Sequence, residues 1–168
     1  VPGLQRVGLL YIPENGSDVL GLRQFEDDCA TLKFKPLPAR VRKVEDLAAA
    51  FDTLQREKAQ GLVLPSSSSF NAWRESIYEL AAKHRLPAIY GNSLLADSRG
   101  LVSYSTDNVD LYRRSATYVD KIFKGAKPGD LPIEQPTRFE MVLNMKTAKA
   151  LGLKISNSVL VQATRVIE

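Results

Sequence analysis

Short apolar runs of strand length alternate with stretches of helical spacing along almost the whole chain, and few architectures satisfy that order. RVGLLY at 6–11 is continuously apolar after Arg6, as a strand buried on both faces requires. PENGS breaks it, and Val19, Leu22, Phe25, Cys29 and Leu32 then recur at helical intervals. A second strand over 36–42 carries two prolines, which suits an edge position. Val44, Leu47, Ala48, Phe51 and Leu54 mark a second helix, and GLVL at 61–64 a third strand stopped by Pro65. One helix follows, with Phe70, Trp73, Ile77, Leu80 and Ala81 on its inner face. PAIY at 87–90 and LVSY at 101–104 are the fourth and fifth strands, and the stretch 91–100 between them shows no helix. A helix over 108–124 carries Val109, Tyr112, Ala116, Val119, Ile122 and Phe123, and GAKPGDLP is a turn-rich linker. A sixth strand over 138–143 and a short helix over 145–151, ended by Gly152 as a C-cap, complete the pattern. Strands alternating with helices of this length demand right-handed crossovers, hence an α/β fold with a doubly wound parallel sheet covered on both faces. The expected strand order is 2-1-3-4-5.

The size of the chain, 168 residues, suits one such domain. Its net charge of +4 is the balance of 23 basic and 19 acidic residues, and the basic ones are scattered. Nucleic-acid binding is excluded as a reading, because it needs basic residues on one face interleaved with stacking aromatics. No apolar run approaches the ~20 residues of a bilayer span. Cys29 is alone, so no internal disulfide forms, and on an apolar helix face it serves as a small hydrophobe.

Ligands of open α/β sheets bind beyond the carboxyl ends of the strands, so the residues there are the candidate site. Ser66, Ser67, Ser68 and Ser69 precede the third helix, whose first N–H groups lack partners and carry partial positive charge. They are placed to hold a carboxylate or other anion, with plain helix capping as the alternative. Thr106 and Asp107 open the next long helix, where Asp107 either accepts a ligand ammonium or caps. Asn15 and Asn92 stand at two further tips, and Phe70, with Tyr11 and Trp73, is placed to wall an apolar ligand or pack the core. Enzyme signatures are missing: there is no GxGxxG, P-loop or GxSxG. His84, the single histidine, falls at the far end of the third helix and reads as a lone surface imidazole, so neither a Ser-His-Asp triad nor a His-based metal site is available. No catalytic residue, metal or cofactor is expected. A phosphoacceptor receiver domain would need an Asp at the end of the third strand, where Pro65-Ser66 stands.

The most specific text lies late. GAKPGDLPIEQPTRFEMVLNMKTAKALGL at 125–153, RLPAIYGN at 85–92, LVSYSTDNVDLYRRSATYVDKIFKG at 101–125 and the closing SNSVLVQATRVIE resemble the solute-binding proteins of bacterial ABC importers. The likeness is strongest from His84 onward and looser over the first 60 residues. It implies a periplasmic-binding-protein-like lobe with flavodoxin-like strand order, and an extracytoplasmic, periplasmic location. It also implies capture of a small polar or amino-acid-like solute without chemistry, and delivery to an ABC permease in the membrane. Under the resemblance, residues 1–107 form a ligand-binding lobe, 108–137 a helix and linker crossing the hinge, and 138–168 the strand and helices completing the lobe. Val1-Pro2-Gly3-Leu4 is then the end of a link from an N-terminal lobe, missing here. The sequence departs from relatives at Arg99-Gly100, where they carry Gly-Gly, and at Tyr104-Ser105, where they carry Tyr-Gly. A cytoplasmic ligand-sensing or dimerising domain on the same fold is the competing reading. In either case the apolar stripe on the 108–124 helix, lacking a first lobe to cover it, either folds back onto its own sheet or pairs with the same helix of a second copy, and the homodimer is the favoured expectation.

Overall fold

The computed structural model describes residues 3–168, the side chains of Leu94, Asp97 and Ser98 excepted. The expected linker character of Val1 and Pro2 lies outside the described residues. The first half runs β1 (Arg6–Tyr11), α1 (Gly16–Thr31), β2 (Lys35–Arg40), α2 (Asp46–Arg56), β3 (Gly61–Leu64), α3 (Ser68–Ala72), α4 (Arg74–Lys83) and β4 (Ala88–Tyr90). It continues through α5 (Ser93–Ser98), β5 (Val102–Thr106), α6 (Asn108–Phe123), β6 (Phe139–Asn144), α7 (Met145–Leu151), α8 (Asn157–Gln162) and β7 (Arg165–Ile167). One seven-stranded sheet results, in the order β2-β1-β3-β4-β5-β6-β7. The expected 2-1-3-4-5 order holds, and the proline-bearing β2 is an edge strand.

Four features depart from the sequence reading. The third helix is broken at Trp73 (φ −91°, ψ 10°) into α3 and α4. Apolar spacing hides the break, since Phe70 and Ile77 both stay on the core side of it. The 91–100 connection does contain a helix, α5, whose Leu95 and Ala96 are buried although it is too short for a period to register. The sheet is mixed, because β6 runs antiparallel to β5 with Thr106 opposite Phe139. The chain does not return through a right-handed crossover there, for α6 and its linker leave the sheet and β6 re-enters beside the tip of β5, where Asp107 N donates to Arg138 O. Finally, the closing residues form α8 and the edge strand β7, paired parallel to β6.

The two faces of the sheet are covered unequally. One carries the core, where Leu10, Leu62, Leu64 and Tyr90 meet Leu47, Phe51 and Leu54 of α2 and Ile77 and Tyr78 of α4. Packing is tight enough that a Cβ on Gly8 would lie 2.8 Å from Leu54. On the other face α1 lies over β1 and β2, burying Cys29. Beyond it runs an open apolar groove of about 690 Å³, floored by Val63, Ile89, Val102 and Met141 and banked by Phe25 and Val159. The expectation of a sheet shielded on both faces is therefore met on one face only. Further along the open face Tyr104 and Phe139, both half exposed, stack with ring centroids 5.6 Å apart. α6 could have filled the groove but stands away from the sheet, and none of its residues is buried. It is held instead by its own linker, through Tyr118 Oη donating to Pro132 O (2.7 Å) and an Arg114–Glu134 ion pair (2.6 Å).

Candidate functional site

The carboxyl ends of the five parallel strands bring the sequence-predicted residues to one edge. At the tip of β1, Asn15 caps α1, its Oδ1 accepting from Ser17 N (3.1 Å) and Ser17 Oγ (2.7 Å). Beside it lies a group the sequence reading missed: Asp18 is buried, and its Oδ2 accepts from Ile12 N at 2.9 Å. An acid in the first helical turn after a proline-containing break was the available signal. Asp18 thereby fixes the loop whose conformation sets where Asn15 points.

At the tip of β3 the serines divide. Ser66 and Ser68 are exposed and Ser69 is half-buried. Ser67 holds the cap position of α3 with extended backbone (φ −146°, ψ 139°), but its buried hydroxyl bonds nothing among the described residues. Capping by position therefore leaves a desolvated donor–acceptor at the rim, a costly arrangement unless something else satisfies it. Phe70 is fully buried beneath this loop, with Trp73 edge-on at 6.0 Å, so its ring packs the core under the serines.

The β4 tip is pressed against the same loop. A Cβ on Gly91 would lie 2.7 Å from Ser66 N, so only glycine allows the two backbones this close. Asn92 Nδ2 then donates to Asn71 Oδ1 on α3 at 3.3 Å, joining the tips into one polar patch. At the β5 tip Thr106 is half-buried, and Asp107 caps α6, its Oδ1 accepting from Asp110 N (3.0 Å). Ser105 keeps a buried hydroxyl without a partner among the described residues, as does Ser103 beneath it. At the β2 tip Asp46 Oδ2 accepts from the backbone N–H groups of Arg42 (2.9 Å) and Lys43 (3.2 Å). The bond from Arg42 N–H does most to hold the Asp46 carboxyl below the usual carboxylate range; burial opposes it, and the Lys43 N–H bond and the charges of Lys43 and Arg42 add to the lowering.

His84 corrects one expectation. Its side chain is not a free surface imidazole but only 5% exposed, with Nδ1 2.7 Å from Gln55 Oε1 and Nε2 3.6 Å from Asp52. It stacks obliquely on Phe51 at 5.8 Å, so it fastens α4 to α2. It sits just before β4 begins, at the sheet edge opposite the serines. Among the described residues no cluster of three or more His, Cys, Asp or Glu side chains is arranged to hold a metal ion, and no helix is long and apolar enough to cross a membrane. The edge offers hydroxyls, amides and capped carboxylates, which is the equipment for hydrogen-bonding a small polar group.

Comparisons with known proteins bear on the family and the fold. The family described as ABC transporter substrate binding protein matches residues 1–167. Among solved structures, a conserved domain protein from Vibrio cholerae superposes with a TM-score of 0.90 at 22% identity, over 99% of this chain and 56% of that one. The ABC domain in complex with L-Trp from Streptococcus pneumoniae gives 0.87 at 22% identity, over 99% and 58%. A substrate-binding protein with adhesive properties from Clostridium difficile, in its ligand-free open form, gives 0.77 at 16% identity, over 99% and 55%. At such identities the structures show a common fold, and the chain spans a little over half their length. No curated protein matches the chain. Proteins of the matched family are typically extracytoplasmic and not enzymes. With its model spanning nearly the whole sequence and the fold in agreement, the chain belongs to the ABC transporter substrate-binding protein family.

Proposed function

We propose that this chain is one lobe of a two-lobe, extracytoplasmic receptor that captures a small amino-acid-like solute without chemistry and hands it to an ABC permease. The observation that carries the reading is the gathering of Asn15, Ser66, Ser67, Ser68, Ser69, Asn92, Thr106 and Asp107 at one sheet edge, with the Ser67 hydroxyl buried and unpartnered among them. Amino-acid chemistry fits such an edge: hydroxyls and amides for a carboxylate, Asp107 for an ammonium. The L-Trp held by the Streptococcus protein motivates the choice of class. Matched structures extend by nearly as much chain again, which supports a first lobe that supplies the other wall of the cleft. In this reading residues 108–137 cross toward that lobe, which takes up the exposed stripe of α6 and a share of the open groove. Without it, copies of the chain pair through α6, a low-cost route to a twofold dimer.

Half a cleft binds poorly, because much of the solute surface stays wet. Calorimetric titration of an amino-acid panel against the chain alone is therefore expected to show nothing tighter than about millimolar, ~4 kcal/mol. Saturating L-Trp should still move the amide resonances of Ser67, Asn92 and Asp107. A micromolar ligand bound by the monomer refutes the half-site, and shifts confined to other surfaces refute the carboxyl edge as the place of capture.

A further inference from the structure

Strand β6 brings to the carboxyl edge a carboxylate that the sequence reading left out. Glu140 lies opposite Ser105 of β5, and residues paired in this way hold their Cβ atoms about 5 Å apart. Side chains alternate along a strand. Tyr104 and Phe139 stack on the open face, so Ser105 and Glu140 point to the opposite side, where the core and α5 lie. Asp107 keeps an extended backbone (φ −68°, ψ 98°), and alternation turns its side chain to that same side.

Glu140 is marked by what it lacks. It is half-buried, yet it makes no hydrogen bond or ion pair among the described residues. The Ser105 hydroxyl beside it is buried and equally unpartnered there. Other carboxylates of the edge are committed: Glu14 to Arg42 at 2.6 Å, Asp18 to Ile12 N at 2.9 Å and Asp46 to Arg42 N at 2.9 Å. The cations nearest along the sheet are engaged elsewhere, Arg138 reaching Asp110 at 3.9 Å and Arg165, opposite Val142, having a partner of its own. A desolvated carboxylate without a countercharge is costly, and so is a buried hydroxyl without a partner. A bound cation would relieve both.

The distance to Asp107 narrows down which cation. Thr106 is opposite Phe139, so Asp107 and Glu140 lie on neighbouring strands, two residues out of step. At ~3.3 Å per residue and ~4.8 Å between strands, their backbones are about 8 Å apart. One oxygen of Asp107 caps α6 through Asp110 N (3.0 Å), and the other takes no bond among the described residues. Two ammonium acceptors at that distance, with hydroxyls and amides around them, fit a solute that carries two positive groups on one short chain. A neutral side chain would leave Glu140 without a countercharge.

We propose that the solute is an amino acid with a cationic side chain, whose α-ammonium goes to Asp107 and whose side-chain cation goes to Glu140 and Ser105. The assignment rests on the carboxyl edge being the place of capture, and it makes Glu140 the residue that sets specificity there. The probes are L-lysine and L-norleucine, which share head group and chain and differ in the side-chain amine. Each is titrated into the chain and followed by amide NMR. Expected is saturation by L-lysine at about 1 mM and by L-norleucine about tenfold more weakly, the factor for one charge-assisted hydrogen bond. The Ser105 and Glu140 amides should move with L-lysine alone. Glu140→Gln should bring L-lysine down to the level of L-norleucine and leave L-norleucine unchanged. Glu45→Gln, which removes an exposed carboxylate just before α2, should alter neither. Equal binding of the two amino acids, or equal loss in the two variants, overturns the proposal. If both bind equally and move Ser67, Asn92 and Asp107, the carboxyl edge stands and only the side-chain assignment falls; if neither moves those residues, both readings fall. Should Glu140→Gln fail to fold by thermal melting, the ratio of the two amino acids and the Ser105 shift still decide.

Discussion

α2 and α6 are both amphipathic helices with a charged outer side, and they meet opposite fates. α2 buries Leu47, Ala50, Phe51 and Leu54 against the sheet, whereas the longer α6 buries nothing. Leu54 of α2 finds Gly8 and Leu62 directly beneath it. Phe123 of α6 remains 87% exposed and Tyr112 80% exposed, although a groove of helical dimensions lies open on the same sheet. An apolar stripe states that a helix needs a surface; it does not state which one. Two unpartnered surfaces in one chain, a stripe and a groove, exceed what a soluble monomer normally exposes. In the two-lobe receptor proposed above, the other lobe would cover both.

The contrast can be broken by mutation. Phe51→Ala should cost about 3–5 kcal/mol in urea unfolding, the range for truncating a fully buried aromatic ring. Phe123→Ala should stay within about 0.5 kcal/mol, as exposed substitutions do; similar losses at both positions would erase the difference between the helices. Gly91→Ala should come next, at about 1–3 kcal/mol, because its Cβ meets backbone rather than a yielding side chain. The same variant should disturb the Ser67 and Asn92 resonances more than those of α6.

Charge placed on the stripe acts on association instead. Val119→Glu with Ile122→Glu should turn a light-scattering dimer at micromolar concentration into a monomer while the thermal transition of the sheet survives. If the whole domain melts, α6 belongs to the core of its own lobe. The smallest effect is electrostatic. Asp46 has its carboxyl lowered in the folded state, so its contribution is complete above the unfolded pKa of about 3.9 and fades as pH falls through the lower folded value. Asp46→Asn should therefore flatten the acid side of the stability profile while leaving it unaltered in shape near neutrality.

What could be read from the sequence followed from local periodicity. β1 and β3 start and end where their apolar runs do, and Gly152 caps α7 at φ +73°. Crossover handedness argued for the parallel sheet, and the strand order came from the flavodoxin-like pattern common among such sheets. The misses are tertiary. β6 turned antiparallel because α6 left the sheet, and β7 is three residues long and half-exposed, too short to show alternation. At the site, residue types at the strand tips were legible, but their roles depended on partners distant in sequence. Asn92 meets Asn71, and Gly91 admits Ser66. His84 looked free because Gln55 and Asp52, its neighbours in space, lie on another helix.

Amide hydrogen exchange on the chain alone, read side by side for α2 and α6, bears most directly on whether α6 and the open groove were built for a surface outside this lobe. In a sample dilute enough for light scattering to show monomer, the α2 amides should exchange only through global opening, while those of α6 exchange through local opening, at a far smaller free energy. A sample that light scattering shows to be monomeric, yet in which α6 is as protected as α2, would contradict the account.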